Sequence, residues 1–74
     1  MKLTNFTREY EYVFTFNFEK GINKTVDISN LIKNKVKKDE LETAHLDKDW
    51  GCLEFKNGMV DIEPNTLYKF TQGK

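Results

Sequence analysis

Few groups in this 74-residue chain could carry chemistry. Cys52 is its only thiol and His45 its only imidazole. A cysteine activated by a neighbouring histidine is one arrangement such a pair could serve. Both residues alternate with apolar neighbours, in "AHL" and "CLEF", which places both on the outer face of a hairpin over residues 44–55. Nothing in the sequence sets a helix N-terminus or a group of oxyanion donors beside them, so we do not read the pair as catalytic. Structural zinc takes four soft ligands where only two are available, so neither a metal nor a cofactor is expected. The chain reads as non-enzymatic.

A second pair is acidic. In "LEFKNGMVDIEP", Leu53 to Pro64, Asn57-Gly58 separates two alternating runs. Asn-Gly is the strongest short hairpin signal, and a type I′ turn there sets Phe55 opposite Val60 and Leu53 opposite Ile62. Glu54 then faces Asp61, and like charges directly opposite cost a few tenths to ~1 kcal/mol. The two acids could receive a basic partner residue or a cation. Alternatively Lys56 or another strand's lysine neutralises them, or Asp61 turns away to bond backbone amides near Pro64. We read Asp61 first as a structural turn or cap acid, and Asp27 in the same way, as an acid that helps start the helix after it.

Lys33, Lys35, Lys37 and Lys38 put four cations in six residues. They read as a solvated helix face because Asp39, Glu40 and Glu42 follow at once. The alternative is a basic contact to nucleic acid or an acidic protein, but no arginine joins the cluster to give forked recognition of phosphate or guanine. Trp50, in the turn "DKDWG", reads first as a cap on the core from the side, and second as an exposed interface anchor. Val13 and Met59 point outward and would extend an apolar patch around it.

The elements that hold these residues follow from periodicity. "YEYVFTFNFE", Tyr10 to Glu19, places Tyr10, Tyr12, Phe14, Phe16 and Phe18 on one face of a strand. The next run, "INKTVDI", places Ile22, Val26 and Ile28 on one face. A three-residue turn, Glu19-Lys20-Gly21, sets Phe18 against Ile22, Phe14 against Val26 and Tyr12 against Ile28. That register gathers the apolar side chains, and burial selects it over a one-residue slip. Ser29 reads as an N-cap, and residues 30–43 as one irregular helix or two short ones, with Asp39 and Glu42 forming a capping-box-like start to the second. Ala44 and Leu46 open a further strand. Pro64 ends the last strand and begins a short closing helix, "PNTLYKF". The fold class is therefore α+β: a small, mostly antiparallel sheet of hairpins with short helices. A single domain over residues 1–74 is expected, frayed at 1–5 and 71–74.

Composition narrows the function classes. Twelve basic and twelve acidic residues give no net charge, hence no general pull toward nucleic acid or an anionic membrane. Charged residues at 32% and aromatics at 14% describe a soluble chain with large core formers, not a disordered one. A domain this small buries only ~60% of the surface its unfolded chain exposes, which argues against a deep active site. No secretory signal is evident and no run reaches the ~18 apolar residues of a membrane helix, so a cytoplasmic location is expected.

One set of motifs resembles a known family. Phe18-Glu19-Lys20-Gly21, "VDISNLI" from Val26, "GCLEFKNGMVD" from Gly51 and "PNTLY" from Pro64 are similar, in order, to the pattern of the bacterial domain of unknown function 2442. That family typically reads F-x-D-G, V-D-L, a leucine pair, W-P-N-G-x-D and P-D-x-L-Y, and the likeness spans roughly Phe6 to Tyr68. It implies a small α+β fold, with no established chemistry and no accepted catalytic residues. Members occur alone or joined to a helix-turn-helix domain, and small ones are suspected of pairing with a neighbouring small protein, as toxins pair with antitoxins. Here Phe55-Lys56 replaces the W-P, and the lysine cluster replaces an F-x-x-L stretch in a shortened segment before Ala44.

These readings converge on a protein-binding or regulatory module that uses a strand edge or the face carrying Trp50, Val13, Met59, Glu54 and Asp61. The same edge would serve a homodimer. A second reading is a phage or mobile-element inhibitor that blocks a host defence enzyme, with Glu54, Asp61, Asp47 and Asp49 presenting an acidic surface to a basic groove. Direct nucleic-acid binding through the lysine cluster ranks behind both.

Overall fold

The computed structural model describes residues 1–72. Two three-stranded antiparallel sheets form an α+β fold. The first contains β1 (Leu3–Tyr10), β2 (Val13–Phe18) and β3 (Ile22–Asp27), and the second β4 (His45–Asp47), β5 (Cys52–Phe55) and β6 (Val60–Ile62), each in sequence order. Between them the chain makes the short helix α1 (Ser29–Ile32) and a 3₁₀ helix over Lys38–Thr43, and helix α2 (Pro64–Thr71) closes the structure.

The period-two pattern of β2 does what alternation requires. Phe14, Phe16 and Phe18 are fully buried, whereas Thr15 and Asn17 between them are half-buried. β2 and β3 pair Phe18 with Ile22 and Phe14 with Val26, the register in which the three-residue turn gathers the apolar residues. Lys20 and Gly21 both take left-handed backbone in that turn. The ring of Phe14 meets Phe55 of the second sheet edge-on, with centroids 6.3 Å apart and planes at 90°. Phe18 meets Tyr68 of α2 in the same manner at 5.3 Å. One core thus joins both sheets and α2, with Ile28, Ile32, Val36, Leu41, Leu53 and Leu67 filling it. Each such side chain contributes ~1.5–3 kcal/mol by leaving water.

Four expectations about the framework need correction. Residues 10–19 are not one strand, because a turn at Glu11-Tyr12, with Glu11 at φ +47°, ends β1 and starts β2. Tyr10 is accordingly exposed, whereas half-buried Tyr12 donates its hydroxyl to the Val36 carbonyl at 2.8 Å. Residues 1–5 are not frayed: Leu3 is buried, pairs with Phe18 and donates its N–H to the Gly51 carbonyl. At the other end α2 runs to Thr71, while residues 73–74 of the expected fray lie outside the described residues.

The other two corrections concern helix starts. Ser29 is the first residue of α1 rather than its cap, and its N–H is taken by the Asp27 carboxylate at 2.8 Å. That bond, with the Ser29 hydroxyl, holds the Asp27 carboxyl below its usual range. The reciprocal closure expected of Asp39 and Glu42 is made by Lys37 and Glu40. Glu40 Oε1 accepts the Lys37 N–H at 2.9 Å, and the Lys37 carbonyl accepts the Glu40 N–H at 2.8 Å.

Candidate functional site

β5 carries the outer face of the second sheet between two turns. The turn before it, Lys48–Gly51, is pinned from several sides. Asp47 Oδ1 accepts the Asp49 N–H at 3.0 Å, and the Asp47 carbonyl accepts the Gly51 N–H at 2.7 Å. Lys2 Nζ donates to the Asp49 carbonyl at 3.1 Å. Gly51, at φ +73°, lets the Lys2 side chain approach so closely that a Cβ there would stand 2.5 Å from Lys2 Cβ. Trp50 therefore sits on a fixed turn, yet its side chain leaves the protein: the residue is 71% exposed. The core-capping role expected of it is overturned, since the core closes without it.

Beyond the second turn, the Asn57-Gly58 hairpin has the expected register, and Glu54 faces Asp61. Neither expected relief of that pair occurs. The Lys56 ammonium instead goes to Glu40 at 3.5 Å and to the Lys35 carbonyl at 3.3 Å. No side-chain cap bond opens α2, whose N-cap residue is Glu63, so Asp61 is not a cap acid. What answers Glu54 is His45, whose Nε2 lies 2.7 Å from Glu54 Oε1 across the β4–β5 pair. Asp61 instead acts on the thiol of Cys52, which its negative charge helps to hold protonated.

Cys52 does lie on the outer face, opposite Asp47, but it is buried there. Burial, followed by the influence of Asp61 and the charges of Asp47 and Glu54, pushes its thiol up to about 11. An activated cysteine needs the opposite environment, with a depressed pKa and a basic neighbour. The imidazole is engaged with Glu54 and not with the sulfur. Among the described residues no group of three or more His, Cys, Asp or Glu side chains is placed to hold a metal ion.

The residues singled out from the sequence are only partly brought together. Trp50 and Asp61 line one open cleft of about 450 Å3, with Asp47, Cys52, Glu63 and Asn65. Met59, 81% exposed, stands on the turn at the far end of β5 from Trp50, and half-buried Val13 belongs to the other sheet, so the expected apolar patch is not continuous. Lys33, Lys35 and Lys37 are exposed along the chain after α1 ends at Ile32, and Lys38 opens the 3₁₀ helix. They do not form the expected single helix face. Lys38 Nζ lies 3.6 Å from the Glu11 carboxylate.

A second groove, of about 330 Å3, escaped the sequence reading. Leu31, Ile32 and Lys35 form one wall, Val60 and Ile62 of β6 the other, and Thr66 of α2 one end. Asp61 and Glu63 border both this groove and the cleft below Trp50. The chain matches no known family model, curated protein or solved structure in comparisons with each. Among the described residues no helix is long and apolar enough to cross a membrane.

Proposed function

We propose that the protein is a non-enzymatic protein-binding module, one member of a regulatory pair in the manner of a toxin and its antitoxin, acting in the cytoplasm. One observation carries this reading: Trp50 is 71% exposed on a turn held by hydrogen bonds that Asp47 accepts and Lys2 donates. A turn backbone already fixed in place loses little freedom on contact, and tryptophan is among the residue types most enriched where binding energy concentrates. The resemblance to domain of unknown function 2442, whose small members are suspected of pairing with a neighbouring protein, supports the same reading. Asp47, Asp61 and Glu63 beside the indole favour a partner that brings a basic side chain.

That acidity also favours a second reading. An inhibitor from a phage or mobile element would present the same carboxylates to the basic groove of a host defence enzyme. The two readings share a surface and differ in the partner. Nucleic acid is the weaker candidate, since the chain has no net charge and its lysines are spread along a turn.

Capture from the native host, with wild type and Trp50→Ala side by side, tests the module reading. Because the indole leaves the core, Trp50→Ala is expected to keep its stability within ~0.5 kcal/mol and to lose its partner. A variant that folds and still captures every partner would overturn the reading. A captured small protein encoded beside this one favours the pair, whereas a host nuclease favours the inhibitor.

A further inference from the structure

β3 is an outer strand of the first sheet, and the phase of its ladder decides which of its backbone groups β2 uses. The Ile28 N–H donates to the Tyr12 carbonyl at 3.0 Å, one step beyond the Val13–Asp27 pairing. Bonded and non-bonded pairs alternate in an antiparallel ladder, so Phe14–Val26, Phe16–Lys24 and Phe18–Ile22 are the bonded pairs. Further contacts give the same phase. The hydroxyls of Thr15 and Thr25 meet at 2.8 Å, as the closer side chains of a non-bonded pair can. The Asn17 carbonyl and the Glu19 N–H, of the same parity as Thr15, turn to the opposite side, where Thr4 Oγ1 and the Lys2 carbonyl take them. The main-chain N–H and C=O of Asn23, Thr25 and Asp27 therefore point away from β2. All three residues are exposed, and among the described residues no hydrogen bond takes those groups.

We infer that β3 is a dimerisation edge, on which two copies of this chain pair β3 with β3, antiparallel, about a two-fold axis at Thr25. The edge is complementary to itself in that register. Thr25 faces Thr25 of the second copy, and Asn23 faces Asp27, so every outward residue meets another of the same phase and each pairing closes two main-chain bonds. On the outer face the Asn23 amide offers a donor to the Asp27 carboxylate, and the threonine pair is one that stabilises facing strands. On the core face half-buried Lys24 and Val26 lie opposite each other. An inward charge commonly blunts a sheet edge. Here Lys24 meets no cation directly: its apolar stem lies on Val26 of the second copy and its ammonium reaches water. Neighbouring registers are worse. An axis at Asp27 brings two carboxylates face to face, which is destabilising. An axis at Asn23 sets Thr25 against Gly21 in the turn and leaves Asp27 unpaired. This self-complementarity chooses a second copy over a foreign strand, and the resulting interface closes on itself. Trp50 stands on the turn between β4 and β5, in the second sheet, so the inference goes beyond the binding-module reading and does not rest on it.

Sedimentation and amide hydrogen exchange of the full chain, followed as its concentration is raised, test this. In dilute protein the amides of Asn23, Thr25 and Asp27 should exchange fast, and those of Lys24 and Val26 slowly. At high concentration the first three should become protected as the sedimenting mass approaches that of two chains. Thr25→Glu sets two carboxylates opposite each other at the axis, and Thr25→Lys two ammonium groups. Each should weaken association by ~10-fold or more while keeping the circular dichroism of the wild type. An equimolar mixture of the two variants should restore the dimer, because opposite charges then face each other. That rescue separates a lost contact from a lost fold. Trp50→Ala should dimerise as the wild type does.

A wild-type chain still monomeric at ~1 mM would overturn the proposal. So would a dimer that leaves Asn23, Thr25 and Asp27 unprotected, since its contact lies elsewhere, or one that Thr25→Glu does not weaken. A mixture of the two charged variants that stays monomeric would count against it equally. Protection of these amides by a captured partner, in a chain that does not self-associate, would assign the edge to a foreign strand, again against the proposal. If Trp50→Ala loses a captured partner while the wild type stays monomeric, the module reading stands and only this inference fails.

Discussion

Nε2 of His45 meets Oε1 of Glu54 at 2.7 Å, and on its other side Glu54 stands directly opposite Asp61. One imidazole thus relieves an acid pair that the hairpin register forces together. The Glu54 side chain is only 17% exposed, so it depends on that partner more than a surface carboxylate would.

Replacing His45 with Ala is expected to cost ~1 kcal/mol. Unrelieved repulsion between Glu54 and Asp61 accounts for a few tenths upward, and the 47% exposure of the imidazole keeps the total small through solvent screening. Adding Glu54→Gln to His45→Ala should recover most of the loss, because it removes the acid that needed the partner. Urea unfolding of the wild type, both single variants and the double variant measures the coupling. Additive single effects would show that the His45–Glu54 contact contributes nothing.

Gly51 and Gly21 share nearly the same backbone, at φ +73° and +74°, and differ only in surroundings. A Cβ on Gly21 meets nothing within 4 Å, so Gly21→Ala carries only the left-handed backbone cost, ~1 kcal/mol. On Gly51 it would stand 2.5 Å from Lys2 Cβ, 2.8 Å from Cγ and 3.0 Å from Cα. The start of β1 must then move, weakening the bond from the Leu3 N–H to the Gly51 carbonyl. Thermal unfolding should show Gly51→Ala less stable than Gly21→Ala by ~1 kcal/mol or more. Equal losses would mean that β1 yields freely.

The contrast between these turns reflects what local sequence can and cannot specify. The Asn57-Gly58 turn, the three-residue turn before Ile22 and the start of α2 at Pro64 each depend on the backbone chemistry of one or two residues, and each was legible. Strand β1 was not. Leu3 and Phe6 differ in parity, and a register shift between Leu3 and Asn5 brings both toward the core where alternation would separate them. Tyr10 misled for the mirror reason: alternation continues through Glu11-Tyr12 although the strand does not. For the candidate site, the Glu54–Asp61 pairing was legible because register is local. The exposure of Trp50 was not, because the core is closed by Leu3 and Phe18, far from it in sequence. Nor was the groove beside β6, which needs Leu31 and Lys35 brought across from another segment.

Phe55 is the residue through which the second sheet grips the first, by its edge-on contact with Phe14. Truncation to Ala is expected to cost ~3–5 kcal/mol in lost transfer energy and unfilled space. Small domains have ~5 kcal/mol or little more in total. Phe55→Ala should therefore be largely unfolded by circular dichroism at 25 °C, with amide resonances collapsed toward random-coil shifts. Trp50→Ala, removing a larger ring from a turn, should leave both signals unchanged. A folded Phe55→Ala would show that the sheets hold together without the aromatic contact.

Cys52 tests the packing of the outer face through pH. Its thiol is raised from an ordinary value of 9.0 to about 11, by burial first and then by Asp61, Asp47 and Glu54. Between those values the unfolded chain has released the thiol proton and the folded chain still holds it, so protons favour the fold. The contribution of Cys52 is thus complete below pH 9 and falls away as pH rises toward 11. Stability should decline across that window in the wild type more steeply than in Cys52→Ala, which keeps every other titrating group. Labelling by a thiol reagent at pH 8 should run well behind that of free cysteine, and Asp61→Asn should speed it by removing the nearest negative charge. Burial, the larger cause, remains in that variant, so the rate should still fall short of free cysteine. Labelling as fast as free cysteine in the wild type would mean that Asp61 does not cover the sulfur, and that the cleft beside Trp50 is more open than the structure describes.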